Sequence, residues 1–371
     1  MRRLSMLKLI FIIFIIVITS ITVMFLNNGV INQSVNFSLL NKFVFCFSLI
    51  PKEKTQRLVL SFVACETRFN ESLNVIKSAL IFTKSPILFI IFADDNLRPK
   101  FHHTLSNLKI ITNNQLDFEL HKINFPEKYE EEWMNLFSKC AAQRLFIPNL
   151  ISHIDAMIYV DTDTLFLGPV NELWSHFSQF NSSQMSAMTF EDDNPNVSWY
   201  PRFAKHPFYG KYGLNSGVML MNLTRMRSFH WTDYVTPIML KWKLYIPWGD
   251  QDIINIIFHY HPEAVLILSC RYNYRSDQCM YGDACAAAAA PGVFLLHGSR
   301  KAFHSHKQPA FEAMYRAISE YEIGVDSPAS LVANMERYLE ESPPSNCGAL
   351  KDTFLKSPNK TITKLYLTPE R

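Results

Sequence analysis

The chain has 371 residues, 48% of them hydrophobic and 19% charged, with a formal net charge of +3. That is enough for one large domain or two ordinary ones with a sizeable core, and too apolar for a disordered chain. The mild charge, with no basic run interleaved with aromatics, argues against nucleic acid as a partner.

Arg2, Arg3 and Lys8 precede an uncharged run from Leu9 to Leu26, dominated by Ile, Phe and Val. Its length is at the lower edge of a membrane span, and no small-x-small cleavage site comes after it. Residues 1–8 therefore read as a cytosolic tail and residues 9–26 as a signal-anchor transmembrane helix, with a cleaved signal peptide as the alternative. Either reading puts the remainder in a secretory lumen. Sequons at Asn32, Asn36, Asn70, Asn181, Asn196, Asn222 and Asn359 agree with that compartment. So do seven cysteines, which suggest a few disulfides and one unpaired thiol, with Cys270, Cys279 and Cys285 as candidates.

Residues 27–56 read as a lumenal stem; the apolar patch "FVFCFSLI" within it is too short to span a membrane. The globular part opens with "RLVLSFVAC", a buried-type strand, then a helix that Asn70 could cap and whose Leu73, Ile76 and Leu80 share a face. A second strand, "PILFIIFADD", completes a βαβ unit of a sheet covered on both sides. A helix is expected from about Glu131 to Leu145, ended by Pro148, before the strand "MIYV". Next come a strand in "GLNSGVMLMN", a helix opening in "WGDQDIINIIFHY" and a last strand in "GVFLLHGSRKAFH". "CAAAAAP" reads as a short helical or irregular linker, and the tail from about Tyr321 as peripheral.

The strand "MIYV" runs into "DTDT", so Asp161 and Asp163 stand at a strand's carboxyl end, where open α/β sheets bind ligands. In an extended chain residues i and i+2 share a face, which makes the two carboxylates neighbours and turns Thr162 away. Such a pair repels unless a cation sits between them, and a hard divalent ion suits carboxylate oxygens. His297, at the end of "VFLLH", offers a third ligand that favours Mn²⁺ over Mg²⁺. Arg300 and Lys301 come directly after it, and Gly298 would let the backbone approach a ligand, so metal and cations together describe a diphosphate cradle.

The segments "YVDTDTLFLGPVNELW", "NSGVMLMNLTRMR", "PWGDQDIINIIFHYHPE" and "HGSRKAFH" resemble, in order and spacing, glycosyltransferase family 8. "KCAAQRLF", "WYPRFAKHPFYGKYGLNSGVML" and "CRYNYRSDQCMYG" narrow the likeness to its glucoside xylosyltransferase branch. The resemblance spans about residues 57–321. It implies an α/β GT-A fold over residues 57–320, a Rossmann-like mixed sheet with helices on both faces, and leaves 321–371 as a C-terminal extension. It further implies a retaining transfer of xylose from UDP-xylose, in α1,3 linkage, to glucose O-linked on EGF-like repeats of Notch-type proteins. The setting would be the ER/Golgi membrane, single-pass type II with a lumenal catalytic domain. By position, Asp161, Asp163 and His297 resemble the metal triad. Ala64, Cys65, Arg144, Thr162, Asn215, Ser216, Gly298 and Arg300 or Lys301 resemble donor contacts, with Gly217 allowing close packing. Asp250 and Gln251 resemble the residues nearest the anomeric carbon, and Trp248 is a candidate for excluding a hexose donor. The rival readings are another UDP-sugar transferase of the same family and a catalytically silent Golgi glycan-binding protein.

Overall fold

The computed structural model describes residues 57–136, 140–192, 194 and 197–367. The expected membrane span and stem, the thiol of Cys46, and Asn32, Asn36 and Asn196 lie outside them. No helix among the described residues is long and apolar enough to cross a membrane.

The long apolar runs become the centre of a seven-stranded mixed sheet of order β3-β2-β1-β4-β7-β6-β8. Its strands are β1 (Leu58–Ala64), β2 (Ile87–Ala93), β3 (Leu116–Lys122), β4 (Ala156–Val160), β6 (Ser186–Phe190), β7 (Leu214–Asn222) and β8 (Val265–Ile267). Every residue of β2 is buried, as a strand covered on both faces requires. β3, β2, β1 and β4 run parallel, and β7 then reverses direction against both β4 and β6. A second sheet, β5-β10-β9, is built from β5 (Thr164–Phe166), β9 (Tyr274–Arg275) and β10 (Leu295–His297).

Helix α1 (Phe69–Ile81) joins β1 to β2 and is buried on most sides; Ser78 Oγ accepts the amide of Phe166, 3.0 Å away, and so ties it to β5. Its start differs from expectation: Arg68 stands at the cap position and its side chain caps no backbone amide, and Asn70 is exposed inside the first turn. Between β2 and β3 runs α2 (Arg98–Ile111), which buries only Phe101 and Leu105. The helix expected over 131–145 does not form as one piece. Glu130–Met134 makes one short helix, Cys140 takes φ 69°, and Ala141–Phe146 is a 3-10 turn. Pro148 then lies in the first turn of Ile147–Leu150, where a missing amide proton costs nothing, so it opens a helix rather than ending one.

Further on come α3 (Trp231–Trp242) and α4 (Asp250–Tyr260). After β10 stand α5 (Pro309–Glu320), α6 (Pro328–Glu341) and α7 (Lys351–Ile362). The tail is not peripheral: Leu331, Met335 and Phe354 are fully buried in a second core shared with Tyr274, Leu296 and Phe311. Disulfides join Cys65 to Cys140, Cys270 to Cys285 and Cys279 to Cys347. The last of these fastens the tail to the segment after β9.

Candidate active site

β4 ends at Val160, and antiparallel β7 brings Asn215, Ser216 and Gly217 beside the turn after it. Asp161, Thr162 and Asp163 form that turn and are not extended chain, so Thr162 is not turned away but lines the cleft with both aspartates. The turn is fixed by its backbone. Asp161 N donates to Gly217 O (2.9 Å), and Gly298 N donates to Asp163 O (2.7 Å). Because His297 pairs in register with Thr164, its ring arrives beside the aspartates. His297 Nε2 lies 3.4 Å from Asp163 Oδ1 and 3.7 Å from Asp161 Oδ2.

The residues present fit a divalent cation. The three ligand atoms lie within 4.8 Å of one another. His297 Nδ1 is 2.8 Å from Asn273 Oδ1, an acceptor that holds the ring proton on that side and turns the Nε2 lone pair towards the carboxylates. Burial opposes the charge of Asp163; when His297 carries a proton on Nε2 as well as Nδ1, its hydrogen bond and charge, with the charge of Arg68, outweigh burial and hold this carboxyl below its usual value. A second grouping, Cys65, Asp94 and Cys140, offers no such site because its two sulfurs are bonded to each other.

Arg144, buried, connects three segments. It donates from Nη2 to Asp161 Oδ1 (2.7 Å) and from Nη1 to Ser216 O (2.7 Å), while Nε lies 2.7 Å from Asp250 Oδ2. Its guanidinium stacks over Tyr159, 4.5 Å from the ring centroid. Burial raises the Asp250 carboxyl to about 6; Arg144 opposes that rise and Asp161 adds to it.

Gln251 is held at both ends. Its Oε1 accepts from Ser216 N (3.0 Å) and Ser216 Oγ (3.3 Å), and its Nε2 donates to Glu191 Oε2 (3.2 Å) and Tyr200 OH (3.3 Å). Glu191 Oε2 also accepts from Asn215 Nδ2 (2.7 Å), and Asn215 Oδ1 accepts from Asn273 Nδ2 (2.8 Å). Amides and carboxylate thus form one network reaching to His297.

Cys65, Arg144, Thr162, Asn215, Ser216, Asp250, Gln251, Arg300 and Lys301 share the cleft with the Asp161–Asp163–His297 group. Two expected contacts do not. Ala64 is fully buried, because in β1 it faces away from Val63 and Cys65, which do line the cleft. The open side of Gly298 meets the ring of Phe303, 2.2 Å from where a Cβ would stand, so it serves packing. Arg300 and Lys301 both adopt positive φ (57° and 61°); Arg300 pairs with Asp277, and Lys301 has no ion-pair partner among the described residues. Sequence reading missed Arg68, Glu191, Trp199 and Asp277, all of which line the cleft. Glu191 had a signal, since it stands just past the end of β6 as Asp161 stands past β4. Asn273 had none, being identified only through its contact with the His297 ring.

The sequence profile described as glycosyl transferase family 8 matches residues 59–287. Over 326 residues the chain is 43% identical to glucoside xylosyltransferase 1 of Danio rerio, covering 85% of this chain and 80% of that one. It is 42% identical over 327 residues to glucoside xylosyltransferase 2 of Xenopus laevis, covering 85% and 77%. Among solved structures, the galactosyltransferase LgtC in complex with donor and acceptor sugar analogs superposes with a TM-score of 0.56 at 18% identity. That match covers 71% of this chain and 95% of LgtC, a likeness of fold.

Proposed function

The chain belongs to glycosyltransferase family 8, and from that premise we propose that it transfers xylose from UDP-xylose, with retention and in α1,3 linkage, to glucose O-linked on EGF-like repeats. It is a UDP-sugar glycosyltransferase of GT-A type. The observation that carries the reading is the Asp161–Asp163–His297 group, with Nε2 presented to two carboxylates inside a cleft. Xylose and a glucoside acceptor are supported by relatives of that name at more than 40% identity.

The metal is Mn²⁺ in this proposal, held by Asp161, Asp163 and His297. When bound, such a cation supplies positive charge that stabilises a departing diphosphate. Lys301, and Arg300 on release from Asp277, add charge at the same wall. Asn215 and Ser216 orient the donor sugar, and Arg144 keeps Asp161, Ser216 and Asp250 in register around it. Gln251 is uncharged and engaged at both ends of its amide, which suits it to lying against the sugar and not to attacking it. The reading is therefore a same-face displacement, in which a phosphate oxygen of the donor takes the acceptor proton. The enzyme is placed as a type II protein of the ER/Golgi membrane, with residues 57–320 as catalytic domain and 321–371 as extension. Exposed sequons at Asn70, Asn181 and Asn359 and three disulfides support a lumenal setting.

A donor panel tests this. With an O-glucosylated EGF repeat and Mn²⁺, UDP-xylose should be turned over in preference to UDP-glucose and UDP-galactose, and chelation should stop the reaction. Asp163→Asn should lower transfer by at least about a hundredfold with expression and glycosylation intact. Preference for another donor would replace the xylose assignment, and near-normal transfer by Asp163→Asn would remove the metal group from the reaction.

A further inference from the structure

We propose that the corner made by Trp199 and Trp248 is the acceptor subsite, an aromatic seat for the C–H face of a β-glucopyranoside, and that Phe203 continues it towards the aglycone. The inference rests on the reading of the cleft as a sugar-transfer site. Both tryptophans line the same cleft as Asp250 and Gln251. Their indoles meet edge to face, with centroids 5.7 Å apart and an interplanar angle of 82°. Neither is a core residue in the manner of Trp133 and Trp231, which are fully buried; both keep part of their surface open. The ring of Phe203 lies 6.2 Å from that of Trp199 and is 52% exposed, with the Arg202 guanidinium 4.7 Å from its centroid. Three aromatic rings thus lead from the cleft to the surface.

The chemistry of this corner differs from that of the metal group. A nucleoside diphosphate calls for cations, which Arg300 and Lys301 offer on the cleft wall. Flat indole faces carry no charge and suit an uncharged ring with apolar faces. A β-glucopyranoside, with its hydroxyls equatorial, presents such a face, and its hydroxyl rim remains free for the amides and carboxylates nearby.

The corner is also built in advance, by one buried carboxylate. Asp252 Oδ2 accepts from the backbone of Trp248 (2.7 Å), and Asp252 Oδ1 accepts from Tyr200 OH (2.8 Å). Tyr200, fully buried beside Trp199 in sequence, also accepts from Gln251 Nε2 (3.3 Å) and Asn255 Nδ2 (3.0 Å). His206 Nε2 lies 3.3 Å from the same Asp252 oxygen and fastens the segment beyond Phe203. Both walls of the seat are therefore tied to the turn of α4 that carries Gln251, so a sugar seated there is positioned relative to the reaction centre.

The test uses the full chain, with methyl β-glucoside and an O-glucosylated EGF repeat as acceptors and UDP with Mn²⁺ as the binding probe. Trp199→Ala should raise KM for both acceptors by about tenfold or more, leave the UDP Kd within about twofold, and be largely rescued by Trp199→Phe. Phe203→Ala, at an exposed position, should raise KM for the glucosylated repeat and not for methyl β-glucoside. It decides the matter alone if Trp199→Ala fails to fold. Unchanged acceptor KM, or an effect confined to UDP affinity or to the choice between UDP-xylose and UDP-glucose, would overturn the assignment. A wild-type chain that transfers nothing to either acceptor would instead overturn the sugar-transfer reading on which it stands.

Discussion

Asp250 opens α4 from a position almost without solvent contact, and burial lifts its carboxyl to about 6 even though Arg144 Nε lies 2.7 Å away. The sign of the consequence comes from linkage. A folded pKa above the ordinary carboxylate value of about 4 favours the protonated group, so this residue's contribution to stability is present in acid. It is lost as pH rises through about 6, where ionisation places a second negative charge near Asp161. Replacement by asparagine removes that term. Measured by thermal unfolding without metal, Asp250→Asn should therefore gain in Tm relative to wild type between about pH 4 and pH 6. A difference that stays constant over that interval would show that Asp250 ionises as freely in the fold as outside it. Arg144 acts on the same pair of carboxylates. Without it, half-buried Asp161 and buried Asp250 would face each other without their shared counter-ion.

Two elements meet closely where Gly217 of β7 passes His297 of β10. A Cβ on Gly217 would stand 2.1 Å from His297 Cε1 and 2.6 Å from Nδ1, and β7 is hydrogen-bonded on both sides, so the imidazole has to give way. Gly217→Ala should displace that ring from Asn273 and weaken Mn²⁺-dependent UDP binding by at least about tenfold. Its cost to folding should be no more than about 1–3 kcal/mol. Calorimetric titration beside thermal unfolding measures both, and wild-type UDP affinity in this variant would detach His297 from the metal.

The same strands show what sequence makes legible. β1, β2, β4 and β7 carry apolar runs long enough to read, and the strand-end rule then located Asp161 and Asp163, whereas Asn215, at the start of antiparallel β7, was reached only through the family resemblance. α2 buries two residues and shows no clear stripe, while β5 and β9 have three and two residues, too few to display a period. Within the span where one helix was expected, Cys140 takes a left-handed backbone and its sulfur joins Cys65, a long-range partner that no local pattern announces.

At the scale of the whole described molecule, the two cores divide the metal group between them. Asp161 and Asp163 stand past the end of a strand of the large sheet, whereas His297 ends a strand of the small one. The small sheet is backed by the tail: Phe354 packs against Tyr274 (5.6 Å between centroids) and Phe311 (5.9 Å), and Thr353 O accepts the amide of Val293 just before β10. Gly292 leaves room for the backbone of Ser357, 2.8 Å from where its Cβ would be, and Cys347 is bonded to Cys279 across 68 residues. Loss of that cross-link alone is worth about 2–4 kcal/mol, and removing the tail would also expose Tyr274, Leu296 and Phe311. Ending the chain after Tyr321 should therefore abolish accumulation of folded protein, and any fraction that does accumulate should lack Mn²⁺-dependent UDP binding. A truncated chain that accumulates and still transfers sugar at the wild-type rate would mean that β10 holds His297 in place without help from the tail. The second core would then contribute to stability and not to the site.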